Sequence, residues 1–346
     1  MKKILIYSNM SPSKEIEYAG VFVLNQYNYL VANDPCNRYY ICSMPKTFTG
    51  TYGSIKKYIR FIFESYRYIK KENFDIIHLH YFFPLAIIPW FIRKKNKNMK
   101  LILTVHGSDL YQKMKNSINR KLFKYILKDY DHIICVGKKL QYDFQKTLSV
   151  YSDTVLCAGI NKKIFFNLHI EKEYDFLFVG TLVDRKGFDI VLKLIEATVH
   201  KYKWCVVGTG HYKPEIQQVA EKFSASCNYY EKLDQHELNI IYNKSKWLYF
   251  PSRNEPFGLV ATECIFAGTP VISSASGGLA EQVKDAVNGY LINDVENLEE
   301  SLDLLDRAST MDNERYKRFV HHCSVSNEQF SLEYVCHSLT GLYSII

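Results

Sequence analysis

The chain has 346 residues, 47% of them hydrophobic and 15% aromatic, which excludes a disordered polymer and suits two domains of ordinary size. Its net charge of +8 conceals an imbalance, because residues 1–165 carry 27 Lys/Arg against 11 Asp/Glu and the remainder carries 17 against 25. The two halves are therefore expected to have different partners, and a basic first half could face nucleic acid, an anionic membrane or an acidic substrate.

From the N-terminus, "KKILIYS" predicts a strand whose apolar run is too short for a signal peptide. Five further strand-like runs follow: "RYYICS", "FDIIHLH", "KLILTVHG", "DHIICVG" and "DTVLCAGI". Amphipathic stretches separate several of them, namely "GVFVLNQYNYLVAN", "SIKKYIRFIFESYRYIKK", "INRKLFKYILKDY" and "KKLQYDFQKTL". The most apolar segment, "YFFPLAIIPWFI", has 12 residues and two prolines. A membrane span needs about 20 residues, so this segment is expected in a core. After the unpatterned "NKKIFFNLHIEKE" the alternation restarts with "YDFLFVG", "KWCVVG", "CNYYE", "KWLYFPS", "TPVISS" and "GYLIN", and the tail "NEQFSLEYVCHSLTGLYSII" reads as a further amphipathic helix. Strands alternating with helices imply parallel sheets covered on both faces, and two such series imply an α/β protein of two doubly wound domains. The expected division is 1–165 with 327–346 returning, and 166–326. The nine Cys are scattered without a Cys-x-x-Cys, which points to free thiols in a reducing cytoplasm and to neither disulfides nor zinc.

In an open parallel sheet, ligands bind beyond the carboxyl ends of the strands. "TLVDRKGFD" follows one such end, and there Gly180, Thr181 and the helix start beyond them offer backbone N–H groups to an anion, beside the cations Arg185 and Lys186. Gly208 and Gly210 follow another, although the spacing lacks the full dinucleotide fingerprint. His106, Gly107 and Asp109 close a first-half strand, and His80 closes its neighbour as a structural or rim residue. Gly20, at a helix start, could cap that helix or admit a phosphate. In "EPFGLVATE", Pro256 suits a first helical turn and Gly268 a helix stop, so Glu255 precedes a helix that contains Glu263. A carboxylate on either side of a diphosphate suits hydroxyl groups, one set on a ribose and one on a hexose, with the amides of Phe257 to Val260 around phosphate.

These residues, in this order, resemble the retaining GT-B glycosyltransferases of family 4, most closely over residues 175–292. The resemblance rests on "EPFGLVATE", "AGTPVISS", "SGGLAEQV", "VGTLVDRKG", "VVGTG" and "THGSD". It implies two Rossmann-like domains facing across a cleft, with the C-terminal helix crossing back to the first. It further implies that Arg185 and Lys186 bind the donor diphosphate, that Glu255 takes the sugar hydroxyls and that Glu263 takes the ribose. Phe257, Gly258, Leu259 and Val260 would lie near sugar and phosphate, and backbone around Lys232 and Leu233 near the base. His106 would lie against the donor sugar, Gly20 against the phosphates, and His80 with Asp109 on the acceptor side. Transfer from a UDP- or GDP-sugar to a glycan or lipid-linked acceptor is implied, without metal or cofactor and with retained configuration. The implied setting is bacterial surface polysaccharide synthesis in the cytoplasm, the basic first half resting on the anionic inner membrane face. Three positions depart from the common pattern: Cys264, Asn161 in "CAGIN", and Ala19 before Gly20. The alternatives are a nucleotide-sugar 2-epimerase of the same architecture and a non-enzymatic binder of anionic polymers. The second is disfavoured because no nucleic-acid module is present.

Overall fold

The computed structural model describes the chain except residues 15, 17, 18, 47–50 and 326 and the side chains of 51, 52 and 54. Part of the polar loop expected before Gly20 therefore lies outside the described residues. The chain divides into two compact units, Met1–Gly159 with Leu332–Ile346, and Ile160–Ser331. The expected boundary at 165 falls inside the second unit, and the returning segment starts at 332 instead of 327.

In the first unit the order is β1 (Lys3–Ser11), α1 (Val21–Asn33), β2 (Arg38–Pro45), α2 (Thr51–Glu72), β3 (Ile76–His80), α3 (Ile87–Arg93), β4 (Lys100–Val105), α4 (Ser117–Leu127), β5 (His132–Cys135), α5 (Lys138–Leu148) and β6 (Thr154–Val155). The sheet runs β2-β1-β3-β4-β5-β6, all pairs parallel. Central strands are buried on both faces, as in the unbroken burial of Ile76–His80, which is why they read as continuous apolar runs. On α2, Ser65 and Ile69 are buried, Phe61, Ile62 and Tyr66 are half-buried, and Phe61 stacks on Tyr7 at 5.9 Å.

The second unit contains β7 (Tyr174–Val179), α6 (Phe188–Thr198), β8 (Trp204–Val207), α7 (Lys213–Lys222), β9 (Cys227–Tyr230), α8 (Gln235–Lys244), β10 (Ser245–Phe250), α9 (Leu259–Phe266), β11 (Val271–Ser274), α10 (Leu279–Gln282), β12 (Gly289–Ile292), α11 (Leu298–Ser309) and α12 (Asn313–Val325). Its parallel sheet runs β12-β11-β10-β7-β8-β9. Trp204, Trp247, Tyr249 and Phe250 are fully buried in its core. The chain then returns as α13 (Leu332–Ile345), which packs on α1 of the first unit. Cys336 and Tyr343 of α13 are buried, and the Tyr343 hydroxyl lies 2.6 Å from His78 Nδ1.

All nine cysteines are free; seven are buried, whereas Cys36 is exposed and Cys42 partly so. Among the described residues no helix is long and apolar enough to cross a membrane. The apolar segment around residue 85 supplies the short α3, with Phe82, Leu85 and Ala86 fully buried.

Candidate functional site

Between β7 and α6 the chain must turn from strand to helix in the space of a few residues. Gly180 leaves β7 with φ 155, Asp184–Lys186 form one turn of 3-10 helix, and Gly187, left-handed at φ 71, starts α6. A Cβ on Gly187 would lie 2.2 Å from the carbonyl oxygen of Pro251, so this turn seats directly on the end of the neighbouring β10. That contact brings Arg185 and Lys186 to the loop that carries Glu255. Lys186 Nζ pairs with Glu255 Oε2, the two side chains being 14% and 10% exposed, and the same ammonium lies 5.2 Å above the Phe250 ring. Arg185 donates to the carbonyl of Asn254 at 3.2 Å.

The loop Arg253–Gly258 is fixed by residues that sequence reasoning did not single out. Arg253 holds Asp189 of α6 bidentately at 2.7 and 2.8 Å and Glu296 at 2.6 and 3.0 Å. The Gly278 amide donates to the Glu255 carbonyl at 2.9 Å. A Cβ on Gly277 would meet that same carbonyl oxygen at 1.9 Å, which accounts for the glycine pair in "SGGLAEQV". Buried Gln282 donates to the Phe257 carbonyl and accepts from the Thr262 hydroxyl. Pro256 does not open the helix. Gly258 caps it in the left-handed region at φ 99, so α9 begins at Leu259 and its first free amides lie two residues later than the sequence pattern suggested. Gly268 ends it, with φ 77.

Glu263 lies one turn into α9. It is partly buried and accepts a 2.9 Å hydrogen bond from the fully buried Tyr242 hydroxyl. Burial raises its carboxyl to about 7, against which the Tyr242 bond works. Leu233, partly buried, sits in the loop between β9 and α8. Gly208 and Gly210 also have a packing reason to be glycine. Their hypothetical Cβ atoms would strike the carbonyl oxygens of Gly180 at 1.8 Å and Leu182 at 2.2 Å, so they let the loops after β7 and β8 lie against each other.

In the first unit, three imidazoles stack outward from the core. His78 lies 4.6 Å from His80 and His80 5.3 Å from His106, ring centre to ring centre. His80 Nδ1 is 3.1 Å from His106 Nε2, while His78 bonds Thr104 and Tyr343. All three are uncharged at neutral pH. Burial lowers His80 to about 3 and holds His78 and His106 well below their usual value, the neighbouring imidazoles adding to this. His106 is partly buried between the rings of Tyr81 at 4.5 Å and Phe22 at 4.8 Å. His80 is 1% exposed and lies behind the His106 ring. Asp109 is also turned inward, accepting from the amides of Phe82 at 2.8 Å and Leu110 at 3.1 Å, and burial raises it to about 6. Gly20 caps α1 at φ 69, and a Cβ there would lie 2.6 Å from the Met10 carbonyl oxygen. Gly20 thus holds the cap position, one of the two readings its place in the sequence allowed. Among the described residues no group of three His, Cys, Asp or Glu is arranged to hold a metal.

Two family models match successive parts of the chain: Glycosyltransferase Family 4 over residues 21–161 and Glycosyl transferases group 1 over residues 160–321. The chain is 36% identical over 228 residues to an uncharacterized glycosyltransferase of Methanocaldococcus jannaschii, covering 64% of this chain and 62% of that protein. It is 27% identical over 181 residues to the O-antigen chain mannosyltransferase of Salmonella typhimurium, covering 50% and 51%. Anabaena HepE, solved in complex with UDP and glucose, superimposes with a TM-score of 0.76 at 13% identity, over 100% of both chains. The strand orders and the paired matches agree with that architecture, and the chain belongs to the GT-B glycosyltransferases of family 4.

Proposed function

We propose that the protein transfers a hexose from a UDP- or GDP-sugar to a glycan or lipid-linked glycan acceptor, with retained anomeric configuration and no required cofactor. The observation that carries this reading is the Lys186–Glu255 pair at the carboxyl ends of adjacent strands. A diphosphate would draw Lys186 and Arg185 to its oxygens. The released Glu255 carboxylate would then accept from sugar hydroxyls, with the α9 amides and the Gly180 turn around the phosphates.

Transfer breaks the bond between the anomeric carbon and the diphosphate oxygen. The leaving group takes the electron pair, and the acceptor oxygen bonds the same face of the carbon while its proton passes to the departing phosphate. Lys186 and Arg185 stabilise the charge that collects on the leaving group, and fixed cations and dipoles of this kind act without reorganisation. Glu263 holds the ribose, Leu233 and Lys232 present backbone to the base, and His106 contributes an uncharged ring to sugar recognition. The mannosyltransferase activity for which the Salmonella relative is named and the ligands of the Anabaena structure support the substrate class.

The test is a thermal-shift panel of UDP, GDP, ADP, CMP and their sugar conjugates, with and without magnesium. A ligand bound only by the native state raises the melting temperature with its occupancy. Stabilisation by one nucleoside diphosphate, lost in Lys186→Ala, is expected. No response to any of them would overturn the reading.

A further inference from the structure

Sheet geometry gathers the three imidazoles of the first unit. His78 and His80 stand two residues apart on β3, so both belong to one face of the sheet. The parallel register sets His80 beside Thr104 of β4, and His106 follows Thr104 by two residues, just past the strand end. The three rings form a column, but each has different partners. Those partners decide where the ring protons sit.

His78 spends both ring nitrogens on hydroxyl groups, Nε2 on Thr104 at 2.7 Å and Nδ1 on Tyr343 at 2.6 Å. It offers His80 a stacked face at 4.6 Å and no hydrogen bond. His80 has its Nδ1 3.1 Å from His106 Nε2, while its buried Nε2 has no partner among the described residues. The His106 ring is set between Tyr81 at 4.5 Å and Phe22 at 4.8 Å, and its Nδ1 bonds nothing among the described residues. That second nitrogen is the one left for a ligand.

A neutral imidazole carries one proton, on one nitrogen or the other. Burial keeps both His80 and His106 neutral. With its proton on Nε2, His80 would bury an unpaired N–H, and buried donors are orphaned less often than acceptors. With the proton on Nδ1, His80 donates to His106 Nε2 and leaves only a bare lone pair in the core. The tautomer of His106 follows. Its Nε2 accepts, so its own proton sits on Nδ1.

We propose that His80 is a positioning residue: its Nδ1–H holds His106 in the Nδ1–H tautomer, which makes His106 a hydrogen-bond donor to the bound sugar and not a proton acceptor. The proposal rests on the transferase reading for the identity of the ligand alone. A donor at this ring recognises a sugar oxygen by its lone pair. It takes no proton from an attacking hydroxyl, in agreement with the passage of that proton to the departing phosphate. Stacking on His78 keeps the His80 ring in the plane that the bond requires.

The test is nitrogen NMR of the full chain with isotopically labelled histidine, the His106 signals being identified by their loss in His106→Gln. In the parent, His106 should show a protonated Nδ1 and a bare Nε2. His80→Phe keeps a buried, stacked ring and removes the donor, so the His106 proton should spread over both nitrogens. His80→Asn places an amide N–H near the position of Nδ1 and should restore the parent pattern. A protonated Nε2 on His106 in the parent, or an unchanged pattern in His80→Phe, would overturn the proposal. Calorimetric titration with UDP-glucose and GDP-mannose, each against its bare diphosphate, reads the sugar contact. The sugar's share of the affinity should fall several-fold, up to about tenfold, in His80→Phe and recover in His80→Asn, with UDP and GDP binding unchanged. Equal sugar shares in all three proteins would overturn the part His80 plays in recognition. Diphosphate and conjugate weakened alike, with a lower melting temperature, would make its role structural. Failure of the transferase reading would show instead as no binding of either conjugate to the parent, and the NMR pattern would still decide the tautomer.

Discussion

Glu263 makes the pH dependence of this protein calculable in sign. Its carboxyl rises from 4.5 to about 7 on folding, through burial. Below pH 4.5 both folded and unfolded chains keep the proton, and nothing is lost. Between pH 4.5 and 7 the unfolded chain ionises first, so stability falls as pH rises, and above pH 7 the loss is complete. At about 1.4 kcal/mol per pH unit the gap corresponds to about 3 kcal/mol. Glu263→Gln keeps an acceptor for the Tyr242 hydroxyl and removes the ionisation. It should match the parent near pH 4 and exceed it by up to about 3 kcal/mol at pH 8 in urea titrations. Asp109, raised to about 6 by burial, adds a slope of the same sign to both proteins, so the difference between them isolates Glu263. The same proton should couple to the nucleotide. Ribose hydroxyls donate to the ionised carboxylate, so UDP affinity in the parent should climb about tenfold between pH 6 and 8, beyond any change in Glu263→Gln. Parallel stability curves for the two proteins would refute the burial argument, and parallel affinity curves would remove Glu263 from the ribose.

Glu255→Gln leaves Lys186 without its carboxylate and should cost about 1–3 kcal/mol, read as a lower melting temperature without ligand. Because the competitor for Lys186 is gone, UDP should bind as tightly or more tightly while sugar transfer falls; weaker UDP binding would contradict the pairing argument. Gly187→Ala meets both a left-handed backbone and the Pro251 carbonyl, and a loss of about 2–4 kcal/mol is expected in chemical unfolding. Arg253→Lys gives up the two-pronged hold on Asp189, and a loss of about 1–2 kcal/mol should appear, mostly from that partner because Glu296 is 61% exposed and screened. An unchanged melting temperature there would mean the loop is set by the Gly277–Gly278 contacts alone.

The alternation of twice-buried apolar runs with amphipathic stretches was enough to place both parallel sheets, because strands covered on both faces have no polar side to disguise them. The glycine positions were equally legible, but their causes were not. Gly208 and Gly210 fit a phosphate-binding pattern, yet the bodies that forbid a Cβ are the carbonyls of Gly180 and Leu182, residues distant in sequence. Pro256 suited a helix start by local preference, and tertiary contact overrode it, since Gln282 and Gly278 hold the Phe257 and Glu255 carbonyls in a non-helical loop until Gly258 can turn. Arg253 and Gln282 have no signature of their own, for a side chain that orders a loop is identified only by what it reaches. So the sequence alone determined the fold class, the family and the residue types at the strand ends. Which of those residues meet, Lys186 with Glu255, Tyr242 with Glu263 and His80 with His106, was decided by packing between segments far apart in the chain, and at the last two meetings burial shifts the titration of the groups involved.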